Sequence, residues 1–309
     1  MWWRLGGTFG LVVGSLGAGW WCQRAGWLNE ARASRLVRFI VTGPAPVVGC
    51  LSLWRMELRR PEPWLLPFLG VLISASTLLP GWWYARRARL TPPQTGSFLT
   101  CAFFSNLGYF GAFTAFALFG EAGYALCVLY LLFFTPCFYS LGFGLAAHYG
   151  TGHAKPSALN RAFNSYLGLI PLCGVAAGVA LSLAGVPRPA PLNPLNHVLI
   201  PVDTALYLLA IGSQLTLASP RRFLRPCLAM SAVKFLYTPL VAWGLLALAH
   251  VGDLPRRIVL IQAATPVAVS PLIFPLLFGL DRELSNALWL FTTLLAIAWF
   301  LLWIPVIAA

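Results

Sequence analysis

The chain is a succession of apolar runs, each about 20 residues long, which is the length that a helix needs to cross the hydrocarbon core of a bilayer. Hydrophobic residues make up 59% of the 309 residues and charged residues only 9%, whereas a soluble domain carries roughly 25% charged residues. Because backbone polar groups in lipid must be bonded internally, we predict an all-α polytopic membrane protein. Ten spans are predicted, centred near Gly14, Val47, Ile73, Tyr109, Phe134, Cys173, Tyr207, Tyr237, Val269 and Ile297.

Two apolar segments, half a chain apart, end in the same way. Leu118-Phe119-Gly120 is followed by Glu121, and Leu277-Phe278-Gly279 is followed, after one residue, by Asp281. The offset of 277 − 118 = 159 positions is close to half of the 309 residues, which indicates an internal repeat of five spans. Five is an odd number, so the second copy would insert upside down, as an inverted-topology repeat. We predict a first repeat over 1–149, a cytoplasmic connecting loop over 150–162 and a second repeat over 163–309.

Small, polar or proline residues interrupt both segments, over 105–111 in the first and 264–271 in the second. An interruption at mid-membrane depth is tolerated only where it faces protein or a polar cavity, and a matched pair of interrupted segments is the best sequence indication of a transporter's binding site. The half-helix N-termini would offer free N–H groups and partial positive charge to an anion. The predicted cargo-binding residues are Asn106, Gly108, Tyr109, Gly111, Thr265, Pro266, Ser270 and Pro271.

Four of these residues carry side chains that would contact a small anion directly. Asn106 would donate a hydrogen bond to a carboxylate, and Tyr109 would offer a ring face and a hydroxyl. Thr265 and Ser270 are the corresponding polar residues of the second segment. The alternative is that these groups only bond the backbone of their own helix, as Ser and Thr often do in membrane helices.

Three further polar residues are candidates for coupling or gating: Lys234, Gln214 and Asp203. Lys234 lies roughly 12 Å into its predicted helix, where an ammonium is costly and by default functional, unless its long stem reaches the cytoplasmic surface. Asp203 would either carry a coupling proton or, as we favour, lie at the outer interface. Glu121 and Asp281 fall at helix ends, where we expect them to be solvated or to cap a helix.

The first span carries Gly6, Gly10, Gly14 and Ala18 on one helix face, where small residues allow a second backbone to approach closely. We favour packing against another helix of the same chain over a homodimer contact. This span lacks the cleavage site of a signal peptide and is expected to remain. The seven cysteines form no CxxC pair and are interpreted as small buried hydrophobic residues, not as disulfides or metal ligands.

The formal net charge of +13 would suit nucleic acid or an anionic lipid surface, but the distribution of the basic residues favours a membrane topology instead. Of the 21 Lys and Arg residues, 13 fall in odd-numbered loops and 7 on the opposite side, with Lys234 inside a span. The positive-inside rule then places both termini outside the cytoplasm. We expect an integral protein of the bacterial inner membrane with no nucleic-acid partner.

Several motifs occur in an order that points to one protein family. They are Leu16-Gly17-Ala18-Gly19-Trp20, Ser34-Arg35-Leu36-Val37, Asn106-Leu107-Gly108-Tyr109-Phe110-Gly111, Ala210-Ile211-Gly212-Ser213-Gln214-Leu215, Lys234-Phe235-Leu236-Tyr237-Thr238-Pro239-Leu240, and Pro266 with Asp281 after it. In this order they resemble the opening and the fourth-, seventh-, eighth- and ninth-helix motifs of the auxin efflux carrier (AEC, PIN-like) family. The resemblance runs along nearly the whole chain.

This resemblance implies ten helices in a 5+5 inverted repeat with two broken crossing helices, similar to sodium/proton antiporters and bile-acid symporters. It also implies a scaffold part, a transport part and a small organic anion as cargo, such as an auxin-like or dicarboxylate compound. We predict efflux by elevator-type alternating access, with coupling to a proton or sodium left open and no cofactor. Where the family has a proline in the fourth helix, this chain has Phe113, so the helix must break on Gly108 and Gly111 alone.

Two other classes of function are alternatives. The chain contains no His-Glu-x-x-His, Gly-x-x-x-x-Gly-Lys-Ser/Thr or Gly-x-Ser-x-Gly motif, and its four histidines are scattered, which argues against an intramembrane enzyme. A gated channel or sensor protein would not require the half-chain repeat. Counter-flow of a labelled anion in proteoliposomes separates a transporter from a membrane enzyme.

Overall fold

The computed structural model describes residues 2–151, 169–214, 220–249 and 251–308, and their regular structure is helical. The helices of the first half are α1 (Trp2–Arg24), α2 (Glu30–Thr42), α3 (Pro44–Trp54), α4 (Leu65–Ser76), α5 (Leu78–Arg87), α6 (Pro92–Phe103), α7 (Phe113–Tyr130), α8 (Phe134–Cys137) and α9 (Phe143–Tyr149). Those of the second half are α10 (Ile170–Leu183), α11 (Leu195–Gly212), α12 (Leu224–Ala232), α13 (Thr238–Leu248), α14 (Asp253–Ala263), α15 (Phe274–Phe278) and α16 (Arg282–Ala308). Wider π-helical turns occupy Leu107–Ala112, Phe138–Gly142 and Val233–Tyr237.

Within the described residues, six helical segments are long and apolar enough to cross a membrane. They are Glu30–Trp54, Glu62–Arg87, Leu107–Tyr149, Ala190–Gly212, Leu224–Leu248 and Arg282–Phe300, and α10 is a shorter apolar helix. The protein is therefore an all-α polytopic membrane protein, as its composition predicts. The count of ten spans and the 5+5 inverted repeat stay predictions, and most of the predicted connecting loop over 150–162 lies outside the described residues.

The helices gather into two compact units, and each unit draws on both halves of the chain. The described residues of the first unit fall within Met1–Leu66, Gly108–Leu132 and Tyr166–Thr216, and those of the second unit fall within Pro67–Leu107, Phe133–Ser165 and Leu217–Ala309. The repeats over 1–149 and 163–309 stay predictions, and their bounds differ from those of the two compact units.

Close backbone approach at glycines holds the first unit together. α1 packs on α11, where a Cβ atom added to Gly212 would lie 2.2 Å from the carbonyl oxygen of Leu16. α3 packs on α10 in the same manner, because a Cβ atom at Gly178 would lie 2.4 Å from the carbonyl oxygen of Cys50. Glycine is needed at both contacts because any larger residue would push the two helices apart.

The small-residue face of α1 does not make the contact that the sequence predicts. Gly6, Gly10, Gly14 and Ala18 are exposed, and among the described residues no atom of another helix lies within 4 Å of a Cβ atom added to any of these three glycines. The prediction that this face packs inside the chain is wrong for the described residues, because α1 uses its Leu16 side against α11 instead. The alternative, a homodimer contact, stays a prediction.

An aromatic cluster forms the core of the second unit next to the end of α6. Phe104, Phe143, Phe274 and Phe278 are buried in it. The ring of Phe138 lies 5.5 Å from that of Phe104 and stacks on that of Phe274 at 4.9 Å. The cluster therefore packs around Phe104, the residue that directly follows α6.

Candidate functional site

The two interrupted segments are joined to each other by backbone hydrogen bonds. The N–H of Asn106 donates to the carbonyl of Pro266 at 2.8 Å, and the N–H of Ala268 donates to the carbonyl of Phe104 at 3.0 Å. Backbone groups that each helix leaves unbonded at its interruption are thus satisfied by the other interruption, as a membrane interior requires. We name these segments the paired breaks; the first comprises residues 104–106 and the second residues 264–269.

The first break overlaps the start of the predicted interruption over 105–111, but it does not fall on the two glycines that were predicted to break the helix. Gly108 and Gly111 lie after the break, inside the π-helical turn Leu107–Ala112, and α6 ends earlier, at Phe103. The reason is the pairing with the second break, which holds the backbone extended at Phe104 (φ −89°, ψ 116°). A proline in place of Phe113 is therefore not required to interrupt this helix.

Each broken segment ends at a glycine with left-handed backbone. Gly120, which interrupts α7, has φ 64°, and Gly279, which follows α15, has φ 71°. Residues with a Cβ atom rarely adopt such angles. These are the glycines of the two Leu-Phe-Gly motifs, 279 − 120 = 159 positions apart, so a glycine with the same sign of φ follows both breaks.

Lys234 lies beside the first break. Its side chain is fully buried, and Nζ donates hydrogen bonds to the carbonyl of Ala102 at 2.6 Å and to Oγ of Ser105 at 2.7 Å. The alternative that its stem reaches the membrane surface is therefore wrong, because the partly negative carbonyl end of α6 holds the ammonium inside. Among the described residues, no carboxylate forms an ion pair with this ammonium.

The predicted cargo-binding residues of the first segment differ in what they offer. The side-chain amide of Asn106 is half-buried and makes no hydrogen bond within the described part of the chain. Gly108 has open space, with no atom within 4 Å of an added Cβ atom, whereas Gly111 is buried. Among the described residues, Asn106 thus has a side-chain amide without a hydrogen-bond partner at the first break.

In the second segment, one polar side chain bonds to the backbone of its own helix and another has no hydrogen-bond partner among the described residues. Thr265 donates its hydroxyl to the carbonyl of Gln262 at 2.8 Å, so the alternative of bonding to its own helix holds for this residue. The Oγ atom of Ser270 is buried and has no partner among the described residues. Pro266 supplies the carbonyl that pairs with Asn106, and Pro271 is buried in the turn that precedes α15.

The first unit holds three of the remaining predicted residues. The ring of Tyr109 stacks on that of Tyr207 with centroids 3.5 Å apart, so Tyr207 already covers one of the two faces of the Tyr109 ring. Asp203, one turn before Tyr207 on α11, is only 3% exposed, and its favoured position at the outer membrane interface stays a prediction. Its Oδ1 has no partner in the described residues. Gln214 is exposed at the end of a described range.

Two residues near the second break were missed by sequence reasoning. Thr292 on α16 accepts a hydrogen bond from the N–H of Val267 at 3.2 Å. Gln262 is 1% exposed, and neither amide atom of its side chain has a partner within the described ranges. The signal for Gln262 was present, because a polar amide in an apolar segment directly before an interruption marks a functional candidate.

The acidic residues that follow the two Leu-Phe-Gly motifs have different surroundings. Asp281 caps α16, since its Oδ1 accepts a hydrogen bond from the N–H of Leu284 at 2.9 Å, as predicted. Glu121 is neither solvated nor a cap: it is 8% exposed and pairs with the buried guanidinium of Arg188 at 2.5 Å. The prediction for Glu121 is wrong because a basic partner binds its carboxylate. That partner lies 67 positions away in the sequence, so the local sequence does not indicate it.

Comparison with known proteins adds two findings. The family model described as "Membrane transport protein" matches residues 171–304. A protein of Methanothermobacter thermautotrophicus, described as an uncharacterized transporter, is 25% identical over 283 residues, which cover 90% of each chain. These similarities confirm the resemblance to carriers of the auxin efflux type.

Proposed function

We propose that this integral membrane transporter carries small organic anions, such as auxin-like or dicarboxylate compounds, and binds them at the paired breaks. The observation that carries this proposal is the ammonium of Lys234, which is fully buried beside the first break and forms no ion pair within the described residues. A buried charge without a partner is strongly destabilising. A bound carboxylate would supply the missing partner, whereas a cationic cargo would be repelled.

Two unpaired polar side chains support the same location. The amide of Asn106 lies in the first break and the hydroxyl of Ser270 directly after the second break, and neither has a hydrogen-bond partner among the described residues. Hydrogen bonds from such groups to a charged acceptor are roughly twice as strong as neutral ones. The helices that resume after the breaks would add partial positive charge, so an anion would meet favourable groups from both segments.

The proposal assigns coupling to Asp203 in the first unit. A carboxylate that is buried without a cation is costly in its charged form, so taking up and releasing a proton at this residue would link transport to a proton gradient. Asp203→Asn should then make transport insensitive to an imposed pH gradient while cargo binding persists. Transport by this variant that still responds to the gradient would remove the coupling role from Asp203. Gln214, at the end of α11, is kept as a gating candidate.

We also propose elevator-type alternating access, in which the second unit moves as one body. This unit contains both paired breaks and Lys234, and alternating access in inverted repeats is largely rigid-body displacement. A crosslink within the first unit, between α1 and α11, should leave transport intact. A crosslink that ties the second break to the first unit should stop it; transport that survives would favour a gated pore.

The first experiment is a thermal-shift screen of small carboxylates with the purified protein, followed by counter-flow of the labelled hit in proteoliposomes. The proposal expects carboxylates to stabilise the protein and amines of similar size to have no effect. Counter-flow of the hit would exclude a membrane enzyme that merely binds it. Stabilisation by amines alone would overturn the assignment of an anionic cargo.

A further inference from the structure

The oxygen atoms around Lys234 form a set that suits a monovalent cation. The carbonyl of Ala102 belongs to the last turn of α6, where carbonyls lack the N–H partner that a continuing helix would supply. Ser105 adds a hydroxyl oxygen from the first break. In broken helices of transporters, such carbonyls and half-helix C-terminal ends coordinate the coupling ion. In this protein, both oxygens lie within 2.7 Å of a lysine nitrogen.

Lys234 reaches this position from a different helix. It lies in the π-helical turn Val233–Tyr237, 129 positions from Ser105, and its side chain is fully buried. An ammonium carries the same single charge as sodium or potassium and directs three donors at surrounding oxygens. We propose that the ammonium of Lys234 takes the place of a coupling cation at the first break, so that cargo binds and moves without sodium or another free monovalent cation.

At the end of the second interrupted helix, a neutral hydroxyl donates the hydrogen bond to a backbone carbonyl. At the end of α14 the carbonyl of Gln262 accepts the hydroxyl of Thr265 at 2.8 Å. The partly negative C-terminal end of α6 thus receives a full positive charge, whereas that of α14 receives a hydroxyl. This difference supports the assignment of Lys234 as a fixed cation at the first break.

The inference deepens the proposed function and rests on it for the cargo, but the cation position is tested without any cargo. Lys234→Ala would remove the ammonium and leave space next to Ala102 and Ser105. Lys234→Met is the matched control, because its unbranched side chain fills most of that space without a charge. The measured quantity is the thermal unfolding midpoint in detergent, in equal concentrations of N-methyl-D-glucamine, sodium, ammonium or methylammonium chloride.

The expected result is that ammonium or methylammonium raises the unfolding midpoint of Lys234→Ala. At a concentration ten times its dissociation constant, the rise should be about 3 °C. The unfolding midpoint of the wild type should not differ among the four salts. The same should hold for the midpoint of Lys234→Met. A midpoint of Lys234→Ala that responds to none of the cations would overturn the proposal, as would an equal response of Lys234→Met.

The wild type provides a second measurement that does not depend on recovering a folded variant. Counter-flow should run at the same rate in sodium and in N-methyl-D-glucamine, and a loss of roughly tenfold or more without sodium would contradict the proposal. Absence of counter-flow for every carboxylate in every salt would instead contradict the proposed function, and the unfolding measurements would still decide whether Lys234 occupies a cation position.

Discussion

The carboxylate of Glu121 accepts hydrogen bonds from both terminal nitrogens of Arg188, at 2.5 Å and 2.9 Å. The amide of Asn196 donates to the same carboxylate at 2.6 Å. Because Glu121 directly follows Gly120 in the sequence, this buried network lies next to the kink that ends the first broken segment. The network belongs entirely to the first unit.

Arg188→Met should destabilise the protein by about 3–5 kcal/mol, because it leaves the carboxylate of Glu121 buried without its bidentate partner. The matched control is Arg222→Met, which removes the exposed pair with Glu283 and should cost no more than about 1 kcal/mol. Both values come from unfolding of the purified protein in detergent. Equal losses in the two variants would show that the Glu121 network does not stabilise the fold.

Gly212→Ala should destabilise the first unit by about 1–3 kcal/mol, because its Cβ atom would overlap the carbonyl oxygen of Leu16 and force α1 away from α11. Gly14→Ala is the control on α1 itself, since its added Cβ atom would meet no atom of another helix within 4 Å among the described residues. The unfolding midpoints of the two variants provide the comparison. The described packing of α1 would be refuted by a larger loss in Gly14→Ala.

Asn106→Ala should weaken cargo binding by about one to two decades, the effect of losing a buried hydrogen bond worth roughly 1–3 kcal/mol. Its unfolding midpoint should stay unchanged, because the amide makes no hydrogen bond within the described residues. Ser140→Ala, on an exposed turn of the second unit, is the control. Wild-type affinity and rate in the purified Asn106→Ala variant would remove this residue from the site.

Both termini should lie outside the cytoplasm, because 13 of the basic residues fall in odd-numbered loops against 7 on the other side. A cysteine appended to the C-terminus should react with an impermeant maleimide in intact cells, after the exposed Cys173 has been replaced by serine. Labelling that requires permeabilised cells would reverse the topology.

The sequence was informative where a physical rule ties residue type to local structure. The apolar runs predicted membrane helices, and the Leu-Phe-Gly motifs led to Gly120 and Gly279, where a left-handed backbone requires glycine. The small and polar residues of 105–111 and 264–271 located the interruptions to within a few residues. Each of these signals is contained in a short stretch of sequence.

The errors concern side chains whose environment depends on distant parts of the chain. Lys234 stays buried because of oxygens more than 100 positions away, and Glu121 is buried because of Arg188. The exact position of the first break depends on Pro266 and Ala268 in the other half. No local pattern of polarity or spacing specifies such partners, so these features could be seen only in three dimensions.

Binding of an anion beside Lys234 is tested most directly by comparing the cargo affinity of the wild type and Lys234→Met. The two proteins are reconstituted into proteoliposomes, and counter-flow of a labelled carboxylate is measured over a range of concentrations. The expected result is a loss of affinity of roughly two decades or more in Lys234→Met with the fold retained, because the charge that pairs with the cargo is gone. A folded Lys234→Met variant that transports the carboxylate with wild-type affinity would contradict the binding of an anion beside Lys234.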